Sequence, residues 1–389
     1  MLYFDHNATT SVLPEVAQFV ARALSDVPGN ASSIHGVGQR ARQELEKARR
    51  AVSSALGATP GELVFTSGGT ESNNLAIFGI VRRFRGRAVH VVTTTIEHPA
   101  VLEACGQFES DDAEVTRVEV DSNGVVNAEA VARAMRDNTV LVTVMHANNE
   151  VGTIQPIREI ADAVLARRAR GQEIWFHSDG VQAFGKIPFE IRDLGVDLYS
   201  ISAHKVYAPK GTGALYVRKG VSLASTIVGG RHEGGRRAGT ENVVGAMAFA
   251  KAVELLDSNA SVRVAALRDE LERQILTSDL HAELNGFGVP RLPNTTSVSF
   301  PGISAENVVI ALDLKGIAVS TGSACSSGSL EPSHVLLAMG RTREQARSSV
   351  RISLGAHQSA EELRQLSETL LSTVARLQSK KGVNARVAV

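Results

Sequence analysis

Between residues 62 and 217 the chain repeatedly sets a short, β-rich apolar run ahead of a stretch with helical periodicity. The runs 62–66, 88–95, 115–120, 140–146, 174–177, 197–202 and 213–217 read as strands. Within 39–57, Ala41, Leu45, Ala48, Val52 and Ala55 recur at helical spacing, as Leu75, Phe78 and Val81 do within 72–84. A further helical pattern, after Pro156, lies within 151–170. Such alternation predicts an α/β fold built on a mainly parallel sheet covered on both faces. Ligands of such sheets bind beyond the carboxyl ends of the strands. Thr70, His98, Asn149 and Asp179 all lie just past an expected strand end, so the pattern predicts that they converge.

Past about Asn242 the texture changes. A long helical region runs to about Leu276, followed by a strand at 297–300, a helix from Ala305, strands at 317–320 and 350–354, and a closing helix over 359–377. We expect a large α/β domain over 13–257 and a smaller α+β domain made of 1–12 and 258–389, with a frayed tail from 380. A chain of 389 residues suits such a division better than a single small core.

Composition narrows the function. Lys+Arg and Asp+Glu both number 41, so nothing favours bulk binding to nucleic acid or to a membrane surface. Two cysteines, Cys105 and Cys325, exclude a disulfide framework, a four-cysteine zinc site and a self-held iron–sulfur cluster; no metal is expected. The start, Met1-Leu2-Tyr3-Phe4-Asp5-His6, lacks a basic region followed by an apolar run, and no apolar stretch approaches a membrane span. A cytoplasmic location is expected.

Lys205, in Ser202-Ala203-His204-Lys205, and Asp179, in His177-Ser178-Asp179, close two successive strands. A lysine amine at such a place can hold pyridoxal 5'-phosphate, and a carboxylate can keep the pyridine nitrogen protonated, so that the ring draws electrons from a substrate carbon. The ordinary alternative for Asp179 is a helix cap. Thr66-Ser67-Gly68-Gly69-Thr70-Glu71-Ser72 joins a strand to a helix; Gly69 allows close approach, Thr70 adds a hydroxyl, and the helix start suits a phosphate. Taken alone, that turn is equally an ordinary capped helix start. Ser202 and His204 flank the lysine and are candidates for the same phosphate.

His98, in Glu97-His98-Pro99, could stack on a cofactor ring and exchange protons with a substrate, or be a structural histidine. Gln182 follows Asp179 by three residues and could reach the phenolic oxygen if the segment turns helically. Asn149 could bridge cofactor and substrate carboxylate, or be a plain turn residue. Arg351 has the planar fork that captures an amino-acid carboxylate, or forms a surface salt bridge. Cys325 sits in the small, polar run Gly322-Ser323-Ala324-Cys325-Ser326-Ser327-Gly328-Ser329, which predicts a mobile loop over about 321–333 and a reactive thiol. Cys105, in a partly apolar helical stretch, is expected to be inert.

Taken together, these segments resemble the cysteine desulfurases of the NifS/IscS group, within the class V aminotransferase family. Further matching pieces are Asp5-His6-Asn7-Ala8-Thr9-Thr10, Gly29-Asn30-Ala31-Ser32-Ser33-Ile34-His35, Asn148-Asn149-Glu150, Arg237-Ala238-Gly239-Thr240-Glu241-Asn242 and the long cysteine loop through Leu330-Glu331-Pro332-Ser333-His334. The resemblance covers nearly the whole chain, and the long loop is similar to the first group of these enzymes. It implies an aminotransferase-like, fold-type-I architecture, a homodimer, pyridoxal 5'-phosphate and L-cysteine as substrate. It implies a persulfide on Cys325, passed to an iron–sulfur scaffold of NifU/IscU type or another sulfur acceptor. It further implies that Thr240 reaches the phosphate held by the partner subunit. Two residues depart from the family pattern: Ala31 stands where proline is usual, and Arg231 where glycine is usual. A selenocysteine lyase or cysteine β-lyase on the same scaffold is the alternative reading. A catalytically silent docking scaffold is a third, disfavoured because Lys205 and Asp179 are both present.

Overall fold

The computed structural model describes residues 1–109, 113–322 and 331–387. Among them, seven strands form one sheet in the spatial order Leu63–Thr66, Gly213–Val217, Leu198–Ser202, Trp175–Asp179, Thr139–Thr143, Val89–Thr94, Ala113–Val118. Pairings from Leu198–Ser202 outward to Ala113–Val118 are parallel. Gly213–Val217 runs against both of its neighbours. The inner strands are buried along their whole length, which is why they read as apolar runs without alternation.

Each face has its own apolar layer. On one, Ala41, Leu45 and Val52 of the helix Gly36–Ala55 join Val92, Val142, Phe176 and Ile201 of the sheet. On the other, Leu75, Ile77 and Ile80 of the helix Gly69–Val81 join Val91, Leu141, Leu198 and Leu215. Cys105 belongs to this second layer, fully buried, and burial pushes its thiol up to about 12. It is therefore uncharged at neutral pH and has no route to a substrate.

A second sheet has the antiparallel order Ser320–Thr321, Ser349–Ser353, Thr295–Ser299, Glu283–Leu284. Helices Ala260–Leu276, Ala305–Asp313 and Ala360–Val387 cover it around Leu271, Val308, Leu312, Leu366 and Leu370. The amino-terminal segment ties the two sheets together. Leu2–Tyr3 pairs in parallel with Ile317–Ala318, and Phe4 is buried in the second core. Asp5 bridges Ser353, and the Thr10 amide donates to the His204 carbonyl at 2.9 Å.

Several bounds differ from the expected ones for local reasons. The strand expected at 115–120 lies at Ala113–Val118, because Val120 turns away to bridge Val126. The expected strand 317–320 splits at Val319, each half joining a different sheet. The helical region 242–276 is two helices, Val243–Glu254 and Ala260–Leu276; the Asp257 carboxylate accepts from the Asn259 amide at 2.9 Å in the break. The closing helix continues to Val387, since no proline interrupts it.

Gly180, directly after Asp179, shows how tightly the strand end is packed. A Cβ there would lie 1.9 Å from Cζ of the fully buried Tyr199, whose hydroxyl is fixed by His146 Nδ1 at 2.7 Å. Gly180→Ala is expected to destabilise the protein by about 1–3 kcal/mol through overpacking. Urea unfolding reads this; a variant as stable as the parent would contradict the packing described.

Candidate functional site

Past the carboxyl ends of the parallel strands, Asp179 and Lys205 both lie close enough to His98 to act on its charge, and Asn149 is linked to Lys205 through Asn7. Lys205 ends a short 3-10 turn immediately after Leu198–Ser202. Its Nζ donates to the backbone carbonyls of Asn7 at 2.5 Å and Ala8 at 2.7 Å. Tyr207, two residues on, has a φ of 68°, a left-handed conformation that costs a bulky residue energy. Two bonds hold it there: its amide donates to Thr10 Oγ1 at 2.7 Å, and its hydroxyl accepts from the Ala356 amide at 2.6 Å. The turn carrying the lysine is thus clamped between the amino-terminal segment and the second sheet.

Asp179 is buried at the end of Trp175–Asp179. Its Oδ2 accepts from Asn73 Nδ2 at 2.6 Å and its Oδ1 from the Val181 amide at 3.0 Å. Both are neutral donors, and an ionised carboxylate has about four acceptor sites, so capacity remains for a cationic N–H. Asn73 was not foreseen; its signal is its place one turn into the helix that follows Gly68-Gly69.

The turn before that helix suits an anion. Ser202 is buried, and its Oγ has no hydrogen-bond partner among the described residues. It lies toward Gly68, where an added Cβ would sit 4.0 Å from this oxygen, while at Gly69 a Cβ would meet Val181 Cγ2 at 2.7 Å. The first amides of the helix Gly69–Val81 have no carbonyl of their own helix to donate to. A buried orphan hydroxyl, a cradle that a side chain would fill and a helix start together fit a phosphate. Thr70 is exposed at this start. His204 directs Nδ1 to Thr9 Oγ1 at 3.1 Å, leaving Nε2 for any anion; burial, then the Lys205, Lys210 and Lys186 cations, lower its pKa to about 4.

His98 accepts from the Ala100 amide at Nδ1, 3.1 Å away, so the neutral ring carries its proton on Nε2. Burial lowers its pKa first; Asp179 opposes this, while Lys205 and His334 add to it. The preceding Glu97 is fully buried. Its Oε1 accepts from Thr94 Oγ1 at 2.7 Å and from the Met145 amide at 2.9 Å, whereas Oε2 has no partner among the described residues. Burial raises this carboxyl to about 8.

Arg351, 1 % exposed in Ser349–Ser353, donates from Nη2 to Asp5 Oδ1 at 2.7 Å and from Nη1 to the Asn149 carbonyl at 3.0 Å. Its Nε is buried without a partner among the described residues. Arg351 does form an ion pair, with Asp5, but its guanidinium is buried rather than at the surface. Asn149 tethers Arg351 through its backbone rather than its amide. Asn7, also unforeseen, is the junction of the site. Its carbonyl accepts from Lys205 and from Gln182 Nε2 at 2.9 Å; its Nδ2 donates to the Asn149 carbonyl at 3.1 Å and to Thr295 Oγ1 at 2.8 Å. Its signal in the sequence is the run Asp5-His6-Asn7-Ala8-Thr9-Thr10.

Cys325 lies outside the described residues. The residues bounding its segment are seen: Ser333 Oγ donates to Glu150 Oε2 at 2.5 Å, and a Cβ on Gly322 would meet that same oxygen at 2.8 Å. His334 Nε2 lies 3.0 Å from the Glu97 carbonyl. Thr240 is exposed and distant in sequence from the cradle, though Arg237 pairs with Glu71 at 2.8 Å. Among the described residues no cluster of three or more histidines, cysteines or acids could hold a metal, and no helix is long and apolar enough to cross a membrane.

The model of the family described as aminotransferase class-V matches residues 2–366. The chain belongs to the class-V aminotransferase family. It is 43% identical over 381 residues, 97% of its own length and 95% of the relative's, to the cysteine desulfurase IscS of Dictyoglomus turgidum. A solved NifS-like protein superposes with a TM-score of 0.89 at 38% identity, covering 97% of this chain and 100% of the other. The solved complex of SspA with cysteine gives a TM-score of 0.82 at 35% identity, covering 92% and 100%. Desulfurases of this class-V family depend on pyridoxal 5'-phosphate, and the cradle, the acid and the lysine described above fit that cofactor.

Glu97 makes a pH-dependent contribution to stability. Its folded pKa of about 8 lies above the ordinary 4.5, so the folded protein binds the extra proton between these values. Stability contributed at low pH is lost as the pH rises through that window. Glu97→Gln should therefore gain stability relative to the parent at pH 8 but not at pH 5, measured by urea unfolding. An equal difference at both pH values would contradict the assignment.

Proposed function

We propose that this chain is a cysteine desulfurase that removes sulfur from L-cysteine, leaving L-alanine and a persulfide on Cys325. The single observation that carries the reading is the convergence of Lys205, buried Asp179 and the Ser202–Gly69 cradle at the carboxyl ends of neighbouring interior strands, in a chain of this family. When bound, pyridoxal 5'-phosphate supplies an electron sink for the substrate Cα.

The protein's own groups do the rest. Lys205 carries the cofactor and, once its Nζ is released, moves the Cα proton. Asp179 keeps a proton on the ring nitrogen through its unused acceptor sites. Gln182 would donate to the cofactor's phenolic oxygen, and Gly69, Thr70, Ser202 and His204 would hold the phosphate, with Thr240 supplying a hydroxyl to the phosphate held by a second copy in a homodimer. His98, its Nε2 protonated in the neutral ring, exchanges protons with the substrate. Arg351 and Asn149 fix the substrate carboxylate; burial of the guanidinium strengthens that contact by excluding water.

The Cys325 thiolate attacks the substrate sulfur. An S–S bond forms as the Cβ–S bond breaks, the electron pair stays with carbon, and protonation there releases alanine. Cys325 follows Gly322 by three residues, at most about 11 Å of extended chain. Gly322 and Ser333 both lie at Glu150, next to Asn149, which supports the reading that the thiol reaches the substrate. Sulfur then passes to a NifU/IscU-type scaffold or another acceptor, in the cytoplasm.

Three variants test this. Lys205→Ala should lose the visible absorption of the cofactor-loaded protein and all desulfuration. Cys325→Ala should keep that absorption but fail to gain a sulfur atom by intact-protein mass spectrometry after cysteine treatment; sulfide release at the parent rate would point to a lyase instead. Arg351→Gln should lower kcat/KM by roughly ten- to a hundredfold, the worth of about 1.5–3 kcal/mol for a charged hydrogen bond, mainly through KM.

A further inference from the structure

Lys186 is a titratable group that the reaction described above does not use. Its stem is half-buried, yet its amine turns inward and donates to Asn7 Oδ1 at 3.1 Å and to Gln182 Oε1. Asn7 and Gln182 are themselves buried, and neither is charged. A lysine whose amine meets only neutral acceptors in the interior is expensive to keep, so a structural role alone explains it poorly. Burial, followed by the Lys205 and Arg351 cations, holds its amine well below the ordinary lysine value. The titratable groups around it are Lys205, Arg351, His6 and His204. Either protonation state supplies the two N–H bonds that it makes.

These bonds fix two amides. An amide has a donor end and an acceptor end, and a partner able only to donate or only to accept decides which faces it. Asn7 Nδ2 must face the Asn149 carbonyl, which only accepts; its Oδ1 therefore turns to Lys186 and to Asn294 Nδ2 at 3.0 Å. Gln182 follows the same logic: Oε1 accepts from Lys186, and Nε2 donates one of its two N–H groups to the Asn7 carbonyl, the oxygen that also accepts from the Lys205 amine.

We propose that Lys186 is a positioning residue: it locks Gln182 with its N–H end toward the cofactor's phenolic oxygen and, through Asn7, sets the carbonyl that receives the Lys205 amine. The proposal rests on the assignment of Gln182 to that oxygen. A fixed donor there stabilises the anionic oxygen; a loosened one leaves it more basic, which raises the pH at which the visible absorption of the cofactor-loaded protein titrates.

The experiment is a pH titration of that absorption in four variants. Lys186→Met, which keeps the length of the stem, should raise the midpoint by about one pH unit, a tenfold shift in the proton equilibrium. Lys186→Arg, which keeps the donors, should retain the parent midpoint. Gln182→Leu should raise it alone, and adding Lys186→Met to Gln182→Leu should shift it by less than half as much as in the parent background, because the two act in series. A shift of equal size in both backgrounds, or none from Lys186→Met while Gln182→Leu moves the midpoint, overturns the role of Lys186 and leaves that of Gln182 standing. No shift from Gln182→Leu overturns both. The spectrum reads these outcomes in folded, cofactor-loaded protein, independently of turnover.

Discussion

The hydrogen bonds of Asn7 are the constraint on which the site depends. This one residue, 1 % exposed, accepts from Lys205 and Gln182 at its carbonyl and from Lys186 and Asn294 at its side chain. It donates to the Asn149 carbonyl, Thr295 and Ser353. Those partners come from the second sheet, from segments that follow strands of the large sheet and from the turn that carries the lysine. A buried polar network is worth keeping only when its members are satisfied, and Asn7 meets that condition at every polar atom. The amino-terminal segment is therefore the bond between the two halves of the site.

Electrostatics divide the site into two ends. Lys205, Lys186 and Arg351 crowd together, and each depresses the neighbouring amine or imidazole that feels it. Asp5 answers Arg351 directly. Asp179 acts on His98 in the opposite sense, raising the pKa that Lys205 lowers. In the proposed reaction the cationic end would draw a carboxylate-bearing substrate, and the acid would be kept for a cationic ring nitrogen. Complete burial raises the Glu97 carboxyl to about 8, which favours its uncharged form at neutral pH.

Much of this was legible along the chain because it rests on local pattern. Buried parallel strands must be apolar on both faces, so all seven runs of the large sheet were visible, and Asp179 and Lys205 stood out as charged residues at the ends of such runs. The paired glycines between a strand and a helix marked the cradle, and at Gly69 a Cβ would meet Val181. The less legible residues are those whose meaning lies in a distant partner. Asn7, Asn73 and Lys186 are ordinary polar residues by composition, and Arg351 could not be told from a surface arginine.

The sequence by itself determined the class of fold, the order of its strands along the chain and the chemical types available at their ends, because side-chain period and turn chemistry act over a few residues. Only the tertiary structure decided which of those groups meet. It turned Asn149 so that its backbone, not its amide, holds Arg351, and it turned the Lys186 amine inward onto Gln182 and Asn7. The reason is distance along the chain: Asn7 and Thr295, or Arg351 and Asp5, become neighbours only when two sheets close on one amino-terminal strand, and no local pattern encodes that closure.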